Sequence, residues 1–269
     1  MGELVNTHNA GFFSCCSVKL HEIIGFFNGH RKEPCSINSK SIFLYYKTDP
    51  DDENEDIGRL LFTEPNNEIS IIYTHDIDYE HNHQFKHYNT LKFKDINLFV
   101  QKYFTITELV HKYISKLENK YNINYDNTVG VFYRGNDKCL ETGIASYDEF
   151  IDKCKEIQNS NKKIRFLIQT DETEFKETFL KTFSNSFYME ELPTIKKDPS
   201  KAIQFVIEPE KRPEFALSFL SSTIIVSKCK YLVTHTGNCG IWACLFRGNA
   251  NNVYQYIEHP EPLWVSNTL

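Results

Sequence analysis

Arg134, Lys138 and Glu141 follow one another closely after the apolar run Val129 to Tyr133. A guanidinium offers a rigid fork of donors suited to a diphosphate, and an ammonium adds a second cation. A carboxylate nearby supplies a proton acceptor. Gly135 lets backbone approach a ligand closely, and Asn136 and Asp137 complete a polar turn between the two cations. Together these residue types suit a site that holds a diphosphate while a hydroxyl group is deprotonated.

Such groups need a strand end to carry them. Val129, Val131 and Phe132 mark a short buried strand, and ligands of open α/β sheets bind at the C-terminal ends of strands. A helix is expected before it, capped by Thr107, with Leu109, Tyr113 and Leu117 on one face. After it come a helix from Ser146 to Ser160 opened by a Ser146/Glu149 capping box, the strand KIRFLIQT, and a helix from Glu172 to Thr182. Asp171, at the end of that strand, contacts the ligand or caps the helix, and the cap is favoured. A polar stretch to Arg212 leads to the helix EFALSFLSSTIIVSKC, the strand YLVTHT and the helix CGIWACLFRG. Strands alternating with helices imply a parallel sheet.

In the first hundred residues Val5 ends a short strand, and Val18, Leu20, Ile23, Ile24 and Phe27 recur at helical spacing. Gly11 permits a tight turn between the two. SIFLYYK (Ser41 to Lys47) and EISIIYTHDI (Glu68 to Ile77) read as further strands around the acidic loop Asp49 to Asp56. The boundary between the halves is expected near Asn97 to Thr105.

The stretch FYRGNDKCLE resembles the HxRRxDK motif of the fucosyltransferase-like glycosyltransferases, the group of the core α1,6-fucosyltransferases and protein O-fucosyltransferases. FLIQTDETEF (Phe166 to Phe175) is similar to the group's middle strand. KYLVTHTGNCGIWACLFRG (Lys230 to Gly248) resembles its last motif, a strand, a T-x-S-x-x-S-like loop and a helix. The resemblance implies a GT-B-like α/β fold with two Rossmann-like parallel-sheet domains facing a cleft. Residues 1–100 would form the acceptor-side domain and 101–256 the nucleotide-sugar domain, with 257–269 a tail packing back on the N-terminal half. It implies transfer of a sugar, fucose from GDP-fucose, onto a glycan hydroxyl by a metal-independent inverting mechanism. Arg134, Gly135, Asn136 and Asp171, with Thr236, Gly237, Asn238 and Cys239, would bind the donor. Gly11, Phe12 and Phe13 would form a loop facing the cleft, and Glu141 would be the base, with Asp137 and Glu22 as rivals. The chain departs from the motif where Phe132 replaces the His, Gly135 the second Arg, and Gly237 and Cys239 the commoner hydroxyl residues. The same fold with another nucleotide-sugar donor, or a nucleotide- or glycan-binding protein without catalysis, are the alternative readings.

Composition fits an ordinary enzyme domain. The 269 residues are 41% hydrophobic and 14% aromatic, enough for a sizeable core. A net charge of −6 and a pI near 5.9, with no basic stripe, argue against a nucleic-acid partner. No signal peptide is expected and no apolar run approaches membrane length, and eight cysteines without a CxxC pair suit reduced thiols. A cytoplasmic location is the expectation. The patch from His75 to His87 holds four His among Asp and Glu but no fixed ligand spacing, so it reads as a solvated loop rather than a metal site. No cofactor beyond the nucleotide-sugar co-substrate is expected.

Overall fold

The computed structural model describes residues 2–258 and 263–266. The chain opens with a small βαβ unit, β1 (Glu3–Val5), α1 (Phe12–His30) and β2 (Ser36–Asn38), whose two strands pair in parallel with Leu4 opposite Ile37. Three helices follow, α2 (Ile57–Leu61), α3 (Phe93–Tyr103) and α4 (Glu108–Tyr121). The second half runs β3 (Thr128–Tyr133), α5 (Tyr147–Ser160), β4 (Arg165–Thr170), α6 (Thr173–Thr182), β5 (Ser186–Tyr188), α7 (Arg212–Lys228), β6 (Tyr231–His235), α8 (Asn238–Arg247), β7 (Val253–Ile257) and β8 (Leu263–Ser266).

The large sheet has the order β5-β4-β3-β6-β7-β8, parallel except for β8. From the central β3 the chain winds outward through β4 and β5. It returns along α7 and winds outward on the other side through β6 and β7. This is the strand order of the doubly wound nucleotide-binding folds, and the direction reverses between β3 and β6. Ligands of such sheets bind in the crevice at that reversal, outside the strand ends.

α7 makes the return possible. From Phe215 to Ser227 every residue is buried, as expected for a helix wrapped by protein on all sides. It packs on β3, on α4 and α8, and on the short turn Leu44–Tyr46 of the first half. A Cβ on Gly130 of β3 would come within 2.8 Å of Val226 Cγ1, so glycine there lets helix and strand close up. Phe12 and Phe13 of α1 reach the same core, Phe12 stacking on Phe43 at 4.8 Å and Phe13 on Trp242 at 6.0 Å. Burying each such ring contributes about 1.5–3 kcal/mol.

Several expectations are corrected. Ser41 to Lys47 is not a strand: Ile42, Phe43 and Tyr46 are buried by a single 3-10 turn at Leu44–Tyr46. Glu68 to Ile77 forms no strand either, and Ile72 is exposed. α3 went unread before α4, whose buried face is Val110, Ile114 and Leu117 rather than one through the exposed Leu109. Leu263–Ser266 form a strand that the sequence pattern did not announce, antiparallel to β7 with Trp264 against Phe150, and Leu263 and Val265 line a pocket with His83 and His87 of the first half. The rest of that tail lies outside the described residues.

Candidate functional site

Arg134 leaves the end of β3 and is held on three sides. Its Nε donates to Asp171 Oδ2 at 2.7 Å, its Nη2 to Asp137 Oδ1 at 2.7 Å, and its Nη1 to Cys239 Sγ at 3.8 Å. Burial works against the charge, but the carboxylates of Asp171 and Asp137 outweigh it and keep the guanidinium protonated. Asp171 therefore does not cap α6, and its carboxylate is taken up by Arg134. Its carboxylate also accepts the Gly135 N–H at 3.1 Å, and its carbonyl accepts the Asn136 side-chain amide at 2.9 Å. Gly135, Asn136 and Asp171 stand behind Arg134 and fix it. A side chain at Gly135 has no room, since a Cβ would lie 1.8 Å from Glu172 Oε2. That explains why a second Arg is missing there.

The other half of the site hangs from β6. His235, which the sequence reading did not single out, donates from Nδ1 to the Thr236 carbonyl at 3.0 Å and accepts the Arg134 N–H on Nε2 at 2.9 Å. Burial, with Lys138 and Arg134 nearby, pushes its pKa down to about 4, so the ring is neutral and bridges the two strand ends. Thr236 turns its hydroxyl back to the Tyr256 carbonyl at 3.1 Å. Gly237 takes φ +148°, where only glycine is comfortable, and a Cβ would meet Lys138 Cε at 2.8 Å. The Tyr88 hydroxyl brackets it, donating to the Gly237 carbonyl at 2.9 Å and accepting its N–H at 3.0 Å.

α8 starts immediately afterwards, and no side chain caps its N-terminus. Its first-turn N–H groups carry the partial positive charge of the helix end and lie beside the Arg134 guanidinium. Lys138, buried, reaches the same region and donates to Glu141 Oε2 at 2.6 Å, while Glu141 is half exposed. Burial raises the Cys239 thiol above its ordinary pKa, against the pull of Arg134 and Lys138, so it stays neutral.

These groups surround a cavity of about 470 Å³ at the sheet's reversal point. Arg134, Asp137, Lys138 and Glu141 line it with Thr236 to Cys239, and so do Gly11, Phe12 and Phe13 from the first half. Gly11 has an unremarkable φ of −56°, and a Cβ there would meet open space, so the turn does not depend on glycine. Glu22 is bonded to Asn6 and does not line the cavity. The His patch is solvated only in part: His75 is exposed, but His83 is buried and bonded to Glu80, and His81 lines the cavity beside Gln84. Among the described residues no three His, Cys, Asp or Glu side chains gather as a metal-holding cluster.

Comparison with solved structures decides the fold. A NodZ alpha-1,6-fucosyltransferase co-crystallised with GDP aligns over 98% of this chain and 98% of its own, with a TM-score of 0.62 and 10% identity. The same enzyme soaked with GDP-fucose gives 0.62 and 12% identity over 98% of this chain and 99% of its own. The fold is that of these NodZ fucosyltransferase structures. NodZ from Bradyrhizobium aligns as well, with a TM-score of 0.61 and 11% identity over 98% of each chain. No model of a known protein family and no curated protein sequence matches the chain. No described helix is long and apolar enough to cross a membrane.

Proposed function

We propose that this chain is a glycosyltransferase that moves fucose from GDP-fucose onto a glycan hydroxyl, with inversion and without a metal. The observation that carries the reading is the uncapped start of α8 set beside the buried Arg134 in a cavity at the sheet's reversal point. A helix N-terminus and a guanidinium fork are a ready site for a diphosphate. Their charge stabilises the diphosphate as it leaves, the work a metal does elsewhere. NodZ structures with GDP and with GDP-fucose share this fold, which supports the choice of donor. Phe132 lines the cavity where the related motif has His, and offers an apolar face to the nucleotide.

In the proposed step the acceptor oxygen forms a bond to the sugar's anomeric carbon as the bond from that carbon to the β-phosphate oxygen breaks. The electron pair leaves on the diphosphate, and Glu141 takes the hydroxyl proton. Lys138 donates to Glu141 and positions its carboxylate at the cavity wall. Eight free cysteines support a reducing, cytoplasmic setting.

The test is calorimetry with GDP, UDP and CDP, followed by release of GDP from GDP-fucose with and without EDTA. GDP should bind most tightly and turnover should survive chelation. Glu141→Gln should bind GDP normally and lose about 10²–10⁴-fold in turnover, the usual contribution of a general base. Preference for UDP, or activity restored only by Mn²⁺, would replace the donor or the mechanism. Normal turnover in Glu141→Gln would move the base elsewhere.

A further inference from the structure

Another part of the cavity wall carries titratable groups that the step above leaves unused. Ser14 Oγ lies 3.0 Å from Nε2 of His8 and 3.3 Å from Nε2 of His81. A chain of hydrogen bonds stands behind His81. Trp242 Nε1, which can only donate, donates to Ser17 Oγ at 2.8 Å, and Ser17 donates to Asn238 Oδ1 at 2.8 Å. That turns the Asn238 amide NH₂ toward Nε2 of His81 at 3.5 Å, and the Gln84 side chain reaches the same atom at 3.1 Å. With Nε2 bare, the ring can accept from these amides.

The surroundings are also prepared for the protonated ring. Gln84 Oε1 is buried with no partner, an arrangement that ordinarily costs free energy. If Nε2 gains a proton, Gln84 can turn its amide to accept from it, and Ser14 can accept as well while donating to His8.

Glu141, by contrast, is poorly placed to keep a proton. Lys138 is buried and Glu141 is its ion-pair partner. Protonating Glu141 would leave the buried ammonium facing a neutral carboxyl, which is unfavourable. We propose that His81 is where the acceptor's proton comes to rest: Glu141 receives it from the hydroxyl and passes it to Nε2 of His81, and Ser14 and His8 hold the resulting imidazolium. This rests on the glycosyl-transfer reading. The acceptor O–H bond breaks, the proton ends on His81, the acceptor oxygen is bonded to the sugar, and the diphosphate carries away the electron pair. Glu141 gains one proton and gives one up. Burial, together with His8, His21 and Lys138, keeps His81 below its ordinary pKa and so neutral before the reaction, while Glu141 pulls the other way. The donor's diphosphate adds negative charge to the same cavity and favours the imidazolium during turnover.

The experiment measures GDP affinity and GDP release from GDP-fucose, with water as the acceptor, in wild type, His81→Gln and His81→Ala. His81→Gln should keep its GDP affinity and lose about 10–100-fold in kcat, the lower part of the range for proton-transfer groups. Added imidazole should restore turnover in His81→Ala, in proportion to the neutral form present, which a packing defect would not allow. Unchanged kcat in His81→Gln overturns the proposal, as does a loss that imidazole cannot repair. A wild-type chain that neither binds GDP nor releases it from GDP-fucose overturns the transferase reading instead, and the proton route with it.

Discussion

On one side of the cavity Arg134 and the Thr236–Cys239 loop hang from β3 and β6, whose register is fixed by parallel pairing from Val129 opposite Tyr231 to Phe132 opposite Thr234. On the other side Ser14, His81 and Gln84 hang from the start of α1 and from short 3-10 turns. There, single side chains hold the backbone: Asn9 Oδ1 accepts the Leu44 N–H at 3.0 Å, and Gln255 accepts the Tyr88 N–H at 3.0 Å while donating to the Lys86 carbonyl at 3.0 Å. A sheet shares its positional control among many ladder bonds, whereas a turn depends on one or two. The sheet side therefore suits the diphosphate, a group that needs charge fixed in place. The turn side suits the acceptor and its proton, where small rearrangements are useful.

The largest effect expected on the sheet side comes from Arg134→Ala. It removes the fork from the diphosphate position and leaves Asp171, buried, without its guanidinium partner. GDP binding should weaken by about 2–5 kcal/mol, the range for truncating one member of a buried charge pair. Arg134→Lys should recover little, because an ammonium lacks the fork. Calorimetry decides it: full GDP affinity in Arg134→Ala would show that the strand ends do not hold the diphosphate, and the contrast between the walls would fail.

The same contrast explains what could be read from the sequence. The apolar run before Arg134, the Ser146/Glu149 capping box and the alternation of strands with helices are local signals, and each appears in the fold where expected. Ser41 to Lys47 and Glu68 to Ile77 misled because apolar, β-rich residues were buried by turns and by side-chain bonds from distant segments. His235 went unnoticed because its importance lies in Arg134, over a hundred residues away in the chain and adjacent only once β3 and β6 pair. Asp171 was assigned to a helix cap for a similar reason: its true partners, Arg134 and Gly135, come from a neighbouring strand.

His235 gives the next effect, and it depends on pH. Its pKa is pushed down to about 4 in the fold by burial, from 6.5 in the unfolded chain. Below pH 6.5 the unfolded chain takes up a proton that the native ring refuses. The native state is therefore destabilised progressively as pH falls from 6.5 to 4, by about 3 kcal/mol in all at about 1.4 kcal/mol per pH unit, and unaffected by this group above 6.5. His235→Gln can still accept the Arg134 N–H but does not titrate. Urea unfolding at pH 7 and at pH 5 should show wild type losing more stability than the variant. Equal losses would mean that the bridge between the strand ends is not held by a neutral imidazole.

Asn28 tests the turn side, with a smaller effect. Its side chain accepts the Ile77 N–H and donates to the Ile77 carbonyl, both at 3.0 Å, so a single amide from α1 replaces the strand pairing that Glu68 to Ile77 lacks. Ile77 is itself buried and precedes the segment that carries His81. Asn28→Ala strips both partners from a part-buried peptide and should cost about 1–3 kcal/mol, the penalty of leaving such groups unsatisfied. Because the ladder bonds of β3 and β6 are untouched, GDP affinity should change little. Turnover should fall more than affinity, since His81 and Gln84 follow the loosened segment. Chemical denaturation, GDP calorimetry and GDP-fucose turnover on one preparation separate the outcomes. Parallel losses of affinity and turnover would mean that the two walls move as one unit and that their different construction has no functional consequence.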